Sequence, residues 1–254
     1  MTNCMKTAMA LASAAALLVS GCGGGDGDAQ GDGESARQHE QDGARDLRRL
    51  AKRGHAGAQC SLALCILDGK AEATNDGEAY ELMYKSASQG YAEAEYNLGI
   101  MYMTGKGVER DSARAVSWLS KAAESGFARA QLDLGSIYTE GVGGVKKDYR
   151  AAARMYAKAA AKGNHQAETN LGYAYLKGLG VRKDLPEAIR LFRLAAASGD
   201  PIAAAHLGDA YYVGRGVEKD RQTAIEWYLK AADGGDARAA AILKEQGVSR
   251  DPKE

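Results

Sequence analysis

Along most of the chain, small and apolar positions recur four apart, interrupted by glycine at a nearly fixed interval. Glycines stand at 54, 90, 126, 163, 199 and 235, separated by 36, 36, 37, 36 and 36 residues. Self-similarity at such a period marks an array of repeats. Columns are counted here from the residue after each of these glycines. Column 4 is Ala58, Ala94, Ala130, Ala167, Ala203 and Ala239. Column 8 is Leu62, Leu98, Leu134, Leu171, Leu207 and Leu243, and column 12 is Ile66, Tyr102, Tyr138, Tyr175 and Tyr211. Spacing of four places these columns on one face of a helix.

A glycine turn follows each stripe, as in Gly105-Lys106-Gly107-Val108, and Gly143 or Gly144 is the insertion that lengthens the third unit. Next comes column 21, which is Asn75, Asp111, Asp148, Asp184 and Asp220. Such side chains cap a helix by accepting from its free N–H groups. Asn75 with Glu78 and Asp184 with Glu187 have capping-box spacing. The second helix runs to the repeating glycine, which suits a left-handed C-cap. Asn164, Asp200 and Asp236 are placed to cap the first helix that follows, with Pro201 at its opening position. One helix pair cannot bury its apolar face alone, whereas stacked pairs share a continuous core. The pattern predicts an all-α chain, an α/α solenoid of about five 36-residue helix-turn-helix repeats over 46–247. Asp46–Arg53 and Ala237–Glu245 read as terminal capping helices, and 248–254 as a polar tail. Column 9, glycine at 99, 135, 172 and 208, is expected to let another backbone approach closely.

The run Ala-x-x-x-Leu-Gly-x-x-Tyr-x-x-Gly-x-Gly-Val-x-x-Asp, followed by Ala-x-x-Trp-Tyr-x-x-Ala-Ala-x-x-Gly, resembles the Sel1-like repeat, a relative of the tetratricopeptide repeat. Ala94–Gly126 and Ala203–Gly235 match it most closely. The first unit departs, with Ala63 in place of the column-9 glycine and Ala71-Glu72 in place of Gly-Val. The resemblance implies an α/α solenoid acting as a binding adaptor, as many such proteins do in bacterial envelopes and signalling. Some envelope relatives staple each unit with cysteines eight apart. Here Cys60 and Cys65 are five apart, about 7.5 Å of helical rise, beyond disulfide reach. Free, buried thiols are expected, with a disulfide or redox role as the alternative.

The N-terminus breaks the pattern. Residues 1–21 have a short start bearing Lys6, then the apolar run Thr7–Val19, of signal-peptide length rather than membrane-spanning length. Val19-Ser20-Gly21-Cys22 resembles a lipobox, which implies lipidation at Cys22. Residues 22–45 read as a tether with a coil span of about 25–30 Å. From Gly23 it has seven glycines, six acids and two bases, and no Val, Ile, Leu, Met or aromatic residue. Gly23 stands where many Gram-negative lipoproteins carry the inner-membrane-retention Asp. By that resemblance, the expected location is the bacterial envelope, lipid-anchored in the outer membrane and facing the periplasm.

Composition then narrows the function. Thirty-three Lys+Arg balance 33 Asp+Glu, without the basic excess of a general nucleic-acid binder. Four scattered histidines show no metal-ligand spacing, so no metal or cofactor is expected. No serine has Lys three positions later, and no Gly-x-Ser-x-Gly, Walker loop or His-Glu-x-x-His occurs. The expected function is a non-catalytic scaffold binding a protein or peptide partner. A regulator or carrier of a small envelope ligand, such as a cell-wall fragment, is the alternative. A β-lactam-related hydrolase, suggested by certain cysteine-rich relatives, comes third.

Helical angles place a candidate surface. With column 8 inward and about 100° per residue, columns 1, 4, 5, 8, 11 and 12 face the core. Columns 3, 7, 10 and 14 then form an outward stripe, including Gln166, Asn170, Tyr173 and Lys177, then Ile202, His206, Asp209 and Val213. Related solenoids line a concave groove with first helices, so Asn97, Asp133, Asn170, Tyr173 and His206 are the candidate partner contacts. Lys147, Arg150, Arg154, Lys158 and Lys162 run along one helix face. They are either a patch for an anionic partner or lipid headgroup, or a solvated outer face. A second cluster, Arg45, Arg48, Arg49, Lys52 and Arg53, reads more simply as the polar side of a capping helix.

Overall fold

A computed structural model of the chain describes residues 47–69, 71–73 and 77–248. Cys22, the signal sequence, the tether, Arg45, Asn75 and residues 249–254 lie outside the described residues. Twelve helices and no strand are found among those described. They are α1 (47–52), α2 (Ala56–Leu67), α3 (Glu78–Ser88), α4 (Ala92–Thr104), α5 (Ser112–Glu124) and α6 (Ala128–Glu140). Then follow α7 (Tyr149–Ala160), α8 (His165–Lys177), α9 (Leu185–Ala197), α10 (Pro201–Val213), α11 (Arg221–Asp233) and α12 (Ala237–Glu245). The architecture is the all-α solenoid that the repeat predicts: five helix pairs, with α1 before them and α12 after. The chain divides into two compact units after Ser125.

Local chemistry sets the boundaries. Asp111, Asp148, Asp184 and Asp220 each accept a backbone N–H of the first turn, from Arg114 (2.9 Å), Ala151 (2.9 Å), Glu187 (3.0 Å) and Gln222 (3.0 Å). Asn164, Asp200 and Asp236 do the same for α8, α10 and α12. Gly54, Gly90, Gly126, Gly163, Gly199 and Gly235 all have φ between 77° and 91°. Only glycine adopts that conformation without strain, which fixes the period. The N-cap of α3 is Gly77; Asn75, its expected cap, lies outside the described residues. One capping expectation is corrected. Asp184 caps α9, but Glu187 does not reach back. Its carboxylate takes two bonds from Arg190, at 2.8 and 2.6 Å.

In the first unit, α2 packs on α3 and α4 on α5, with α3 also against α4. Their core gathers Cys60, Ala63, Met83, Leu98, Met101 and Tyr102. Gln59 Nε2 donates to Ala51 O at 3.1 Å, tying α1 to the array. Arg48 pairs with Glu78 at 2.7 Å and also donates to Glu72 O, so part of the basic cluster at the front has partners within the fold. In the second unit, α6–α7, α8–α9 and α10–α11 pair, and α12 closes on α11. Cys60 is buried and Cys65 half-buried, both free. Burial, with Glu93 adding to it, pushes the Cys60 thiol up to about 12.

Column 9 departs from expectation in detail. A Cβ on Gly135 would lie 2.6 Å from the Tyr156 ring, and one on Gly208 would lie 2.6 Å from the Tyr228 ring. On Gly99 and Gly172 it would lie 2.8 Å from Leu119 and Phe192 respectively. The void left by glycine is filled chiefly by a large side chain of the paired helix. Backbone approaches too, at Ala115 O (3.2 Å) and Ala188 O (3.3 Å). The buried arc of the first helices is also wider than one stripe. Column 6 (Cys60, Tyr96, Leu132, Thr169, Ala205) is buried throughout, whereas column 1 is mostly helix-capping backbone at partial exposure. A first helix packed on both its partner and a neighbouring repeat hides more than one side.

These contacts predict that Gly135→Ala destabilises the fold by about 1–3 kcal/mol through overpacking on Tyr156. Leu134→Ala should cost roughly 2–5 kcal/mol. Chemical denaturation of both variants checks this, and a parent-like midpoint for Gly135→Ala would contradict the packing described.

Candidate functional site

The five groove candidates fall into both units. Asn97 lies on α4 of the first unit, half-buried, with its side chain hydrogen-bonded to Cys60. Asp133 lies on α6, half-buried. Asn170, Tyr173 and His206 lie on α8 and α10 in the second unit, where the structure brings them together around Tyr173. That ring is 40 % exposed, enough to meet a partner.

Tyr173 stands between two depressions. The smaller, about 80 Å³, is lined by Thr139, Tyr149, Tyr156, Asn170, Tyr173 and Leu179, among others. The larger, about 230 Å³, is lined by Tyr173, Lys177, Phe192, His206, Arg215 and Arg238, together with Asp209 and apolar side chains. Asp133 lines neither.

Phe192, buried and seated against Gly172, stacks on the His206 ring with centroids 4.8 Å apart. The Tyr173 ring lies 5.7 Å from the same imidazole, centroid to centroid. The three rings form an aromatic wall. Burial pushes the imidazole below its ordinary pKa, and Arg238 adds to this, while Asp209, Asp200 and Asp236 oppose it. A neutral imidazole offers an apolar face and one N–H. Asp209 is engaged already: the Tyr228 hydroxyl donates to it at 2.8 Å, and the Arg238 guanidinium pairs with it. Lys177 lies 5.8 Å from the Tyr173 centroid.

No serine, threonine or cysteine lines the larger depression, whose lining hydroxyl is that of Tyr173. No group of three His, Cys, Asp or Glu among the described residues could hold a metal ion. Nor is any helix among them long and apolar enough to cross a membrane.

Of the expected cationic face, Arg150, Arg154 and Lys158 lie on α7, whereas Lys147 precedes its N-cap and Lys162 follows its C-cap. Lys147, Arg150, Arg154, Lys158 and Lys162 are all exposed, and the Lys162 ammonium donates to Gly126 O. Three site residues escaped sequence reasoning. Phe192 comes from a second helix, Arg215 from the glycine turn, and Arg238 from the closing helix. Only Arg238, at column 3 of the last half-unit, carried a usable signal.

The Sel1 repeat model matches residues 56–91, 92–127, 128–164, 165–200 and 201–236. The fold is similar to a Sel1 repeat protein from Oxalobacter formigenes (31% identity, TM-score 0.76, 86% of this chain and 91% of the other). It is also similar to c5321, a protective antigen of uropathogenic Escherichia coli strains with an SLR fold (32% identity, TM-score 0.50). That match covers 81% of this chain and 52% of the antigen. No curated protein matches the chain.

The site predicts a pH signature. In the unfolded chain His206 takes up a proton near its ordinary value of 6.5, whereas in the fold it stays neutral to lower pH. Its contribution is therefore fully present above about pH 6.5 and declines as pH falls through the window below it. Denaturation from pH 8 to 5 should show a shallower loss in His206→Phe than in the parent. Identical slopes would refute the burial of a neutral imidazole.

Proposed function

The chain belongs to the Sel1 repeat family, and from that premise we propose that it is a non-catalytic adaptor, held in the bacterial envelope by lipid at Cys22, that binds a protein or peptide partner along its first helices. Sel1 repeat proteins are commonly protein–protein interaction scaffolds. The observation that carries the reading is the pair of depressions flanking exposed Tyr173. Asn170 on one side has an amide suited to bonding peptide backbone, and the rings on the other suit an apolar side chain. Each depression is smaller than the roughly 300–1,000 Å³ of a small-molecule pocket. That favours successive side chains of an extended peptide over one enclosed envelope ligand.

The proposed location is the periplasmic face of the outer membrane, resting on the lipobox resemblance and on Gly23 after Cys22. In this arrangement residues 23–45 space the solenoid from the bilayer. The α7 cations are then a solvated face or a second contact for an anionic partner.

Two experiments test this. In-cell crosslinking with mass identification should capture one partner with the parent chain and much less with Asn170→Ala/Tyr173→Ala, folded by circular dichroism. Undiminished capture by that variant, with capture lost in Arg154→Ala/Lys158→Ala, would move the site to the α7 face. Separately, Cys22→Ser should abolish fatty-acid labelling and leave the precursor uncleaved there. Normal processing and labelling would refute the lipid anchor.

A further inference from the structure

The charge around the larger depression is unbalanced. Three cations line it, Lys177, Arg215 and Arg238, against one carboxylate, Asp209. Asp209 is occupied by Arg238 and by the Tyr228 hydroxyl. That leaves Lys177 and Arg215 at the rim, neither with a carboxylate partner among the described residues. Behind them stands the wall of Phe192, His206 and Tyr173. A guanidinium binds carboxylate through paired N–H donors, and an ammonium adds a point charge.

We infer that this depression reads an acidic peptide, with a carboxylate side chain held by Arg215 and Lys177 and a neighbouring apolar or aromatic side chain against the His206–Tyr173 wall. The inference rests on the adaptor reading and names the chemistry of its ligand. Arg238 is a positioning residue here: it holds Asp209 neutralised, so that this carboxylate does not repel the incoming one. The chain's own acidic segment, residues 23–45, carries carboxylates but no aromatic, Val, Ile, Leu or Met residue for the wall. The occupant is therefore a separate chain.

The test uses the chain from Cys22 onward in detergent. The probes are N-acetyl-Phe-Glu-amide and its Phe-Gln and Phe-Lys counterparts, blocked at both ends. Binding is followed through the NMR resonances of the His206 ring. The Glu probe should bind at least tenfold more tightly than the Gln probe, and the Lys probe more weakly still. The Glu preference should shrink in high salt. Arg215→Gln/Lys177→Gln should bind the Glu and Gln probes alike. Equal affinities for all three probes, no binding by any, or a preference that survives the double variant would each overturn the inference. Binding of the Glu probe only after residues 23–45 are deleted would assign the depression to the chain's own segment and overturn it too. If the probes fail while Asn170→Ala/Tyr173→Ala still abolishes capture in cells, the adaptor reading stands and this inference alone falls.

Discussion

Much of the architecture depends on one contact, repeated four times. A glycine at column 9 of a first helix receives a large side chain from the second helix of its pair. The pairs are Gly99 with Leu119, Gly135 with Tyr156, Gly172 with Phe192 and Gly208 with Tyr228. A single methyl at any of the four would stand closer to that partner than real Cβ atoms do. The contact sets the distance between paired helices. In the first repeat Ala63 stands in place of the glycine and the unbranched Met83 in place of Leu119, Tyr156, Phe192 or Tyr228, both fully buried. The exchange keeps total volume roughly constant, which is how cores tolerate variation.

The same contact builds the site. Phe192 is pressed into the space left by Gly172, and from there its ring stacks on His206. The imidazole is thereby buried enough to stay neutral, and Tyr173 stands beside it. Structural packing and the proposed binding surface thus share one side chain. The carboxylate of Asp209, held by Tyr228 and Arg238, links the site in turn to the next glycine contact, since Tyr228 is the ring seated on Gly208.

Much of this was legible in the sequence because it repeats. The Leu stripe, the capping aspartates and the C-terminal glycines are each selected by a local rule and seen five or six times over. The capping-box reading failed at Glu187, since Arg190 one turn on competes for its carboxylate. Column 6 was missed because a helical wheel assumes one buried side, whereas these helices are covered from two. In the site, Asn170, Tyr173 and His206 followed from angle alone. Asn97 and Asp133 satisfied the same angle but line neither depression, because angle says nothing of what stands opposite. Phe192 and Arg215 enter only through tertiary packing.

Whether this surface is where the partner sits can be read directly. A photo-crosslinking residue placed at position 173 in living cells, and separately at 154 on the α7 face, reports contact without relying on loss of binding. The account predicts a discrete adduct from position 173, mapping to an acidic segment of one partner, whether or not 154 also yields one. An adduct from 154 with none from 173 would contradict it.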